Sequence, residues 1–72
     1  MANLAERLRK LRTDKKVNQT TIATLLGVTK TQISDLENNK VSTSIERLIK
    51  LADYFDVSLD YLVGRSDEPG RR

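Results

Sequence analysis

Thr29, Lys30, Thr31, Gln32 and Asp35 fall on one side of a short predicted helix, and Ile33 and Leu36 fall on the other. The polar set is equipped for hydrogen bonding rather than for breaking bonds. Lysine can donate to guanine O6 or N7, aspartate can accept from cytosine N4, and threonine offers a hydroxyl, or its methyl to thymine. Lys30, Thr31 and Asp35 share the outward edge, with Thr29 and Gln32 near enough to serve bases or phosphate. Such an edge suits a helix laid in a DNA groove by a supporting helix. Lys30 and Asp35 together suggest a preference for G·C pairs in part of the site. Plainer uses stand beside these: Thr29 reads first as a helix cap, Asp35 as a solvated charge, and Lys30 as a source of electrostatic attraction.

The elements that must hold this edge surround it. Asn18 to Lys40 reads as two short helices joined by a tight turn at Gly27, with Ile22, Ala23, Leu26, Val28, Ile33 and Leu36 as the apolar positions. Asn18 is predicted to cap the first of these helices, which Gln19 opens, and Thr29 to cap the second. Leu25 falls toward the outside. Ahead of them, Asn3 can cap a helix running to about Lys15, with Leu4, Leu8, Leu11 and, less clearly, Lys15 along one stripe. Arg7, Arg9, Lys10 and Lys16 are left for solvent or phosphate. Arg12 sits beside the apolar stripe, where a charge is costly without a partner. No glycine is available at Lys16-Val17, so Lys16 must take positive φ or the helix must end differently. Asn39 is a tolerable left-handed residue after the third helix.

Downstream, Thr43 and Glu46 have capping-box spacing, and a fourth helix is predicted from about Ser44 to Phe55. Its stripe is Ile45, Leu48, Leu51, Ala52 and Phe55, with Ile49 flanking. Ser58 can cap a last short helix, Leu59 to Val63, stopped by Gly64. Residues 65–72 lack apolar periodicity and read as a flexible tail or linker stub behind a domain of residues 1–64.

Seventy-two residues with 38% hydrophobic and 32% charged side chains suit one small helical domain. Neither cysteine nor histidine is present, which removes disulfides, thiolate metal sites and the commonest general base. There is no credible nucleophile–base pair and no glycine-rich phosphate loop. Lys30 and Ser34 are four apart, but a Ser–Lys dyad needs a buried lysine in a pocket. The expectation is a non-enzyme without cofactor or metal. No apolar run reaches bilayer length and no signal-peptide core follows Met1, so a soluble, unexported protein of a reducing cytoplasm is expected. The net charge is +3, and its distribution is uneven. Residues 1–40 hold eight Lys/Arg against four Asp/Glu, and residues 41–72 hold five against six. One phosphate-facing side fits this imbalance, as does an ordinary solvated helix.

The run LRTDKKVNQTTIATLLGVTKTQISDLENNK, followed by LIKLADYFDVSLDYLVG, resembles the Cro/phage-repressor helix-turn-helix family, also called XRE-like, over roughly residues 3–64. The resemblance implies an all-α, compact five-helix, lambda-repressor-like domain. It implies base reading by Lys30, Thr31 and Asp35, and phosphate contacts by Gln19, Asn38 and Lys40. Lys16, Ser42 and Thr43 are plausible additions, and Asn38 can equally cap the third helix. It pairs Arg12 with Glu37. It implies a transcriptional regulator, more commonly a repressor, binding double-stranded DNA at a palindromic operator as a homodimer, with recognition helices about 34 Å apart. The self-contact is expected at Leu59, Tyr61, Leu62 and Tyr54, which are otherwise ordinary core residues, and the dimer either pre-exists or forms only on DNA. A bacterial or phage-encoded cytoplasmic protein, nucleoid-associated when bound, follows from the same likeness. Lys16 and Asn39 stand where the family usually has glycine. The alternative is a helix-turn-helix module that binds a protein partner, as an antitoxin does.

Overall fold

A short polar side chain precedes each helix and bonds the backbone N–H groups that have no partner inside it. In the computed structural model, which describes residues 3–70, Asn3, Asn18, Thr29, Ser44 and Ser58 take this role. They open α1 (Leu4–Asp14), α2 (Gln19–Leu26), α3 (Lys30–Glu37), α4 (Ile45–Phe55) and α5 (Leu59–Leu62). No strand occurs among the described residues, and no helix there is long and apolar enough to cross a membrane.

Helix ends are set by left-handed residues. Gly27 closes α2 at φ 69°, where glycine carries no Cβ penalty. Lys16, Asn39 and Asp56 adopt φ values of 57°, 58° and 54° after α1, α3 and α4. Positive φ at Lys16 is one of the two outcomes the sequence left open.

The interior is built from Leu8 and Leu11 of α1, Ile22, Ala23 and Leu26 of α2, Ile33 and Leu36 of α3, and Leu51, Ala52 and Phe55 of α4. Val57, Tyr61 and Leu62 complete it, while Leu4, Leu25, Leu48 and Leu59 pack at its edge. Helix α3 rests on both α1 and α2, so its angle is fixed from two sides.

Four local expectations are corrected. Ser44, not Thr43, caps α4: its Oγ accepts from the Arg47 N–H at 3.3 Å. Ile45 is 57% exposed instead of core, because the first turn of α4 lies at the rim of the bundle. Lys15 is solvent-exposed at the end of α1. Arg7, expected outward, is only 8% exposed, with its guanidinium 4.0 Å from the centre of the Tyr61 ring. Its Nη2 donates to Asp67 Oδ1 at 2.8 Å. The segment after Gly64 thus lies back against α1, and the Pro69 carbonyl accepts from the Ser58 N–H at 2.9 Å. The last two residues of the expected tail, Arg71 and Arg72, lie outside the described residues.

Candidate nucleic-acid interface

The buried face of α3 uses Ile33, Leu36 and Glu37, which turns the first turn of the helix to solvent. Thr29, Lys30, Thr31 and Gln32 are exposed, and Asp35 is half-buried. Thr29 Oγ1 accepts from the Gln32 N–H at 3.1 Å, and Gln32 Oε1 accepts from the Thr29 N–H at 2.9 Å. This reciprocal capping box stiffens the helix start. It occupies the Gln32 oxygen and leaves that side chain as a donor. The T-x-x-Q spacing carried that signal in the sequence.

At the other end, Glu37 gathers three helices. Its side chain is 2% exposed. Arg12 Nε donates to Oε2 at 2.7 Å and Arg12 Nη2 to Oε1 at 3.0 Å, a two-point pair between α1 and α3. The hydrogen bonding to Glu37, aided by that residue's charge, outweighs the opposing effect of burial and raises the Arg12 pKa above its ordinary value. Arg12 Nη1 also donates to the Val17 carbonyl at 3.1 Å, tying down the turn that follows α1. Gln19 Nε2, at the start of α2, donates to Glu37 Oε1 at 3.3 Å. The amide expected at phosphate is therefore held by the same carboxylate that orients α3, with one N–H left over.

Asn38 is the C-terminal cap of α3, and its Nδ2 donates to the Ser34 carbonyl at 2.9 Å. Lys40 is exposed, its backbone N–H bonded to the Asp35 carbonyl at 2.9 Å. Lys16 and Ser42 are exposed and Thr43 is half-buried. Thr43, Ser42 and Arg47 line a cleft of ≈ 130 Å³ together with Gln32 and Asp35 of α3. Arg9, left by the sequence to solvent or phosphate, has partners that sequence reasoning missed. Its Nη2 donates to the Glu37 carbonyl at 2.9 Å and to Asn38 Oδ1 at 2.8 Å.

The residues expected at a self-contact separate. Leu62 is fully buried and Tyr61 is 7% exposed beneath Arg7, so neither has surface to offer a second copy. Leu59 is half-buried and Tyr54 is 44% exposed. The expected self-contact narrows to those two. No group of His, Cys, Asp and Glu suited to a metal occurs among the described residues.

Residues 8–62 match the family model described as Helix-turn-helix. The HTH-type transcriptional regulator YobD of Bacillus subtilis (strain 168) is 33% identical over 64 residues, which are 89% of this chain and 57% of YobD. A transcriptional regulator from Listeria innocua superposes with a TM-score of 0.84 at 35% identity, covering 90% of this chain and 61% of that one. The P22 c2 repressor, solved in complex with a synthetic operator, superposes with a TM-score of 0.81 at 27% identity, covering 92% of this chain and 100% of the chain in that structure. The chain thus spans less than two thirds of the length of YobD and of the Listeria regulator.

Proposed function

Because the chain belongs to the helix-turn-helix family of Cro/phage-repressor (XRE-like) type, we propose that it is a sequence-specific transcriptional regulator that binds double-stranded DNA. In this reading it acts in the cytoplasm as a repressor. It sits as a homodimer on a palindromic operator and blocks polymerase. The observation that carries the reading is the exposed polar edge at the start of α3, held at a fixed angle by the Arg12–Glu37 pair and the core beneath it.

Lys30, Thr31 and Asp35 read base edges, helped by Gln32 and Thr29. Gln32 donates because its oxygen is engaged in the capping box. Gln19, Asn38, Lys40, Lys16 and Thr43 grip the backbone on either side, which sets register without carrying sequence information. A single α3 reads too few base pairs to find one site in a genome, and a second copy supplies the missing discrimination. Tyr54 and Leu59 form the contact between copies.

Selection of bound sequences from a random DNA library tests the whole reading. The expected product is a two-fold symmetric site with half-sites about one helical turn apart. Replacing Lys30, Thr31 and Asp35 together by alanine must change which sequences are recovered. Unchanged site choice overturns the assignment of α3. Failure to recover any sequence favours a protein partner over DNA.

A further inference from the structure

We propose that Arg9 is a positioning residue for the phosphate grip: it fixes which end of the Asn38 amide faces the DNA and holds the last turn of α3 against α1. The inference rests on the DNA reading of Asn38.

Both hydrogens of Arg9 Nη2 are committed inside the protein, one to the Glu37 carbonyl at 2.9 Å and one to Asn38 Oδ1 at 2.8 Å. The Glu37 carbonyl belongs to the last turn of α3, where carbonyls lack intrahelical donors and a cation is favoured by the helix dipole. Arg9 supplies that cation from a different helix. Arg12 grips the same residue through its carboxylate, which Arg9 Nε also approaches at 4.0 Å, so the two arginines close on Glu37 together.

The consequence falls on Asn38. With Oδ1 turned to the guanidinium, its nitrogen must face away, donating to the Ser34 carbonyl at 2.9 Å. The remaining N–H has only a 3.5 Å approach to Ser34 Oγ, and it is left to donate to a phosphate oxygen. A flipped amide would set donors against the Arg9 guanidinium and show phosphate an oxygen, which repels it. Arg9 removes that orientation. Its own side chain is about half exposed (54%), so replacing it opens no cavity.

A double-mutant cycle on affinity for the selected operator, at fixed salt, tests the assignment. Arg9→Ala and Asn38→Ala each weaken binding by about tenfold, the worth of one charge-assisted hydrogen bond. The double variant is expected to lose about tenfold as well, not about a hundredfold, because Asn38 has nothing left to lose once it is misoriented. Arg9→Lys restores most of the affinity, since an ammonium can reach both acceptors. Penalties that multiply in the double variant, or an unaltered affinity in Arg9→Ala, overturn the proposal.

Asn38→Asp covers the case in which Arg9→Ala unfolds. It keeps an acceptor toward Arg9, removes both the donor to the Ser34 carbonyl and the outward donor, and turns a negative charge toward phosphate, so it must fold by circular dichroism yet bind at least about tenfold more weakly. Binding as tight as the unaltered chain overturns the proposal. A chain that selects no DNA at all overturns the DNA reading itself, a result distinct from multiplicative penalties on a defined site.

Discussion

Glu37 is a carboxylate taken out of water in a molecule with little core to spare, and it is tolerated because Arg12 meets both its oxygens and Gln19 a third direction. Removing it strands a partly covered guanidinium and loosens the hold of α1 on α3. Breaking buried pairs costs roughly 3–5 kcal/mol, and access of water to Arg12, whose side chain is 19% exposed, lowers the expectation for Glu37→Ala to about 2–3 kcal/mol. In a domain this small that lowers Tm by roughly 10–20 °C, whereas Glu46→Ala on the solvent side stays within about 0.5 kcal/mol. Thermal unfolding of the two variants side by side decides it, and equal costs would contradict the buried pair. Raising pH does not substitute for the mutation. A raised arginine pKa means that the contribution of the Arg12 charge is fully present as pH rises to the ordinary arginine value and lost only above the raised one, beyond any working range. Lys16 is the opposite case, a residue at odds with its backbone at φ 57°. Lys16→Gly relieves the left-handed Cβ and is expected to add about 0.5–1 kcal/mol of stability. Asn39→Gly adds less, because asparagine tolerates that region. The same Lys16→Gly change is expected to weaken DNA binding by removing the proposed phosphate contact, so stability and affinity should move in opposite directions.

The helices were legible where one residue type had one physical use. Asn18, Thr29 and Ser58 each precede an apolar periodic run, and each caps it; Gly27 stands where α2 has to turn left-handed. The start of α4 was not legible in the same way. Ser42, Thr43 and Ser44 are three hydroxyls in a row, and Thr43 with Glu46 matches the capping box as well as Ser44 matches a simple cap. The backbone is still extended at Ser44 (φ −76°, ψ 158°) and turns helical only at Ile45, which makes Ser44 the cap. Ser44→Ala should therefore cost about 0.5–1 kcal/mol, at the low end for a cap because the 3.3 Å bond is long. Thr43→Ala should cost less in urea unfolding, and the reverse order would restore the capping box. Ile45 was missed for a related reason: helical periodicity says which residues share a face, not how far along the helix the core extends. Arg7 lay beyond sequence reasoning altogether. The aromatic ring beneath it and the carboxylate that meets it come from the other end of the chain, Asp67 lying 60 residues away. Likewise, Arg12 and Glu37 could be paired only through the family resemblance, and no such guide pointed to Arg9 and Asn38.

At the scale of the molecule, charge and size set what binding must look like. The basic residues proposed at DNA on each chain are Lys16, Lys30 and Lys40, all exposed and all within the half that carries the excess positive charge. Lys16 and Lys40 are the two proposed at phosphate, so two copies on a palindrome neutralise about four phosphates, and each contributes about −0.9 to the slope of log affinity against log salt. The expected slope is about −3.6 for the full operator and about half that for an isolated half-site. Between 50 and 200 mM salt this predicts a loss of roughly 150-fold on the full site. The contact between copies enters independently. Tyr54 and half-buried Leu59 offer far less surface than the roughly 800 Å² per partner of a stable interface. The chain should therefore sediment as a monomer at micromolar concentration, and two copies should assemble only on the paired site. Fluorescence anisotropy on full and half operators over a salt series reads both quantities together. A steep slope with cooperative filling of the full site is the expected result. A slope near zero would mean that lysines do not meet phosphate here, and that the exposed edge of α3 faces a protein instead.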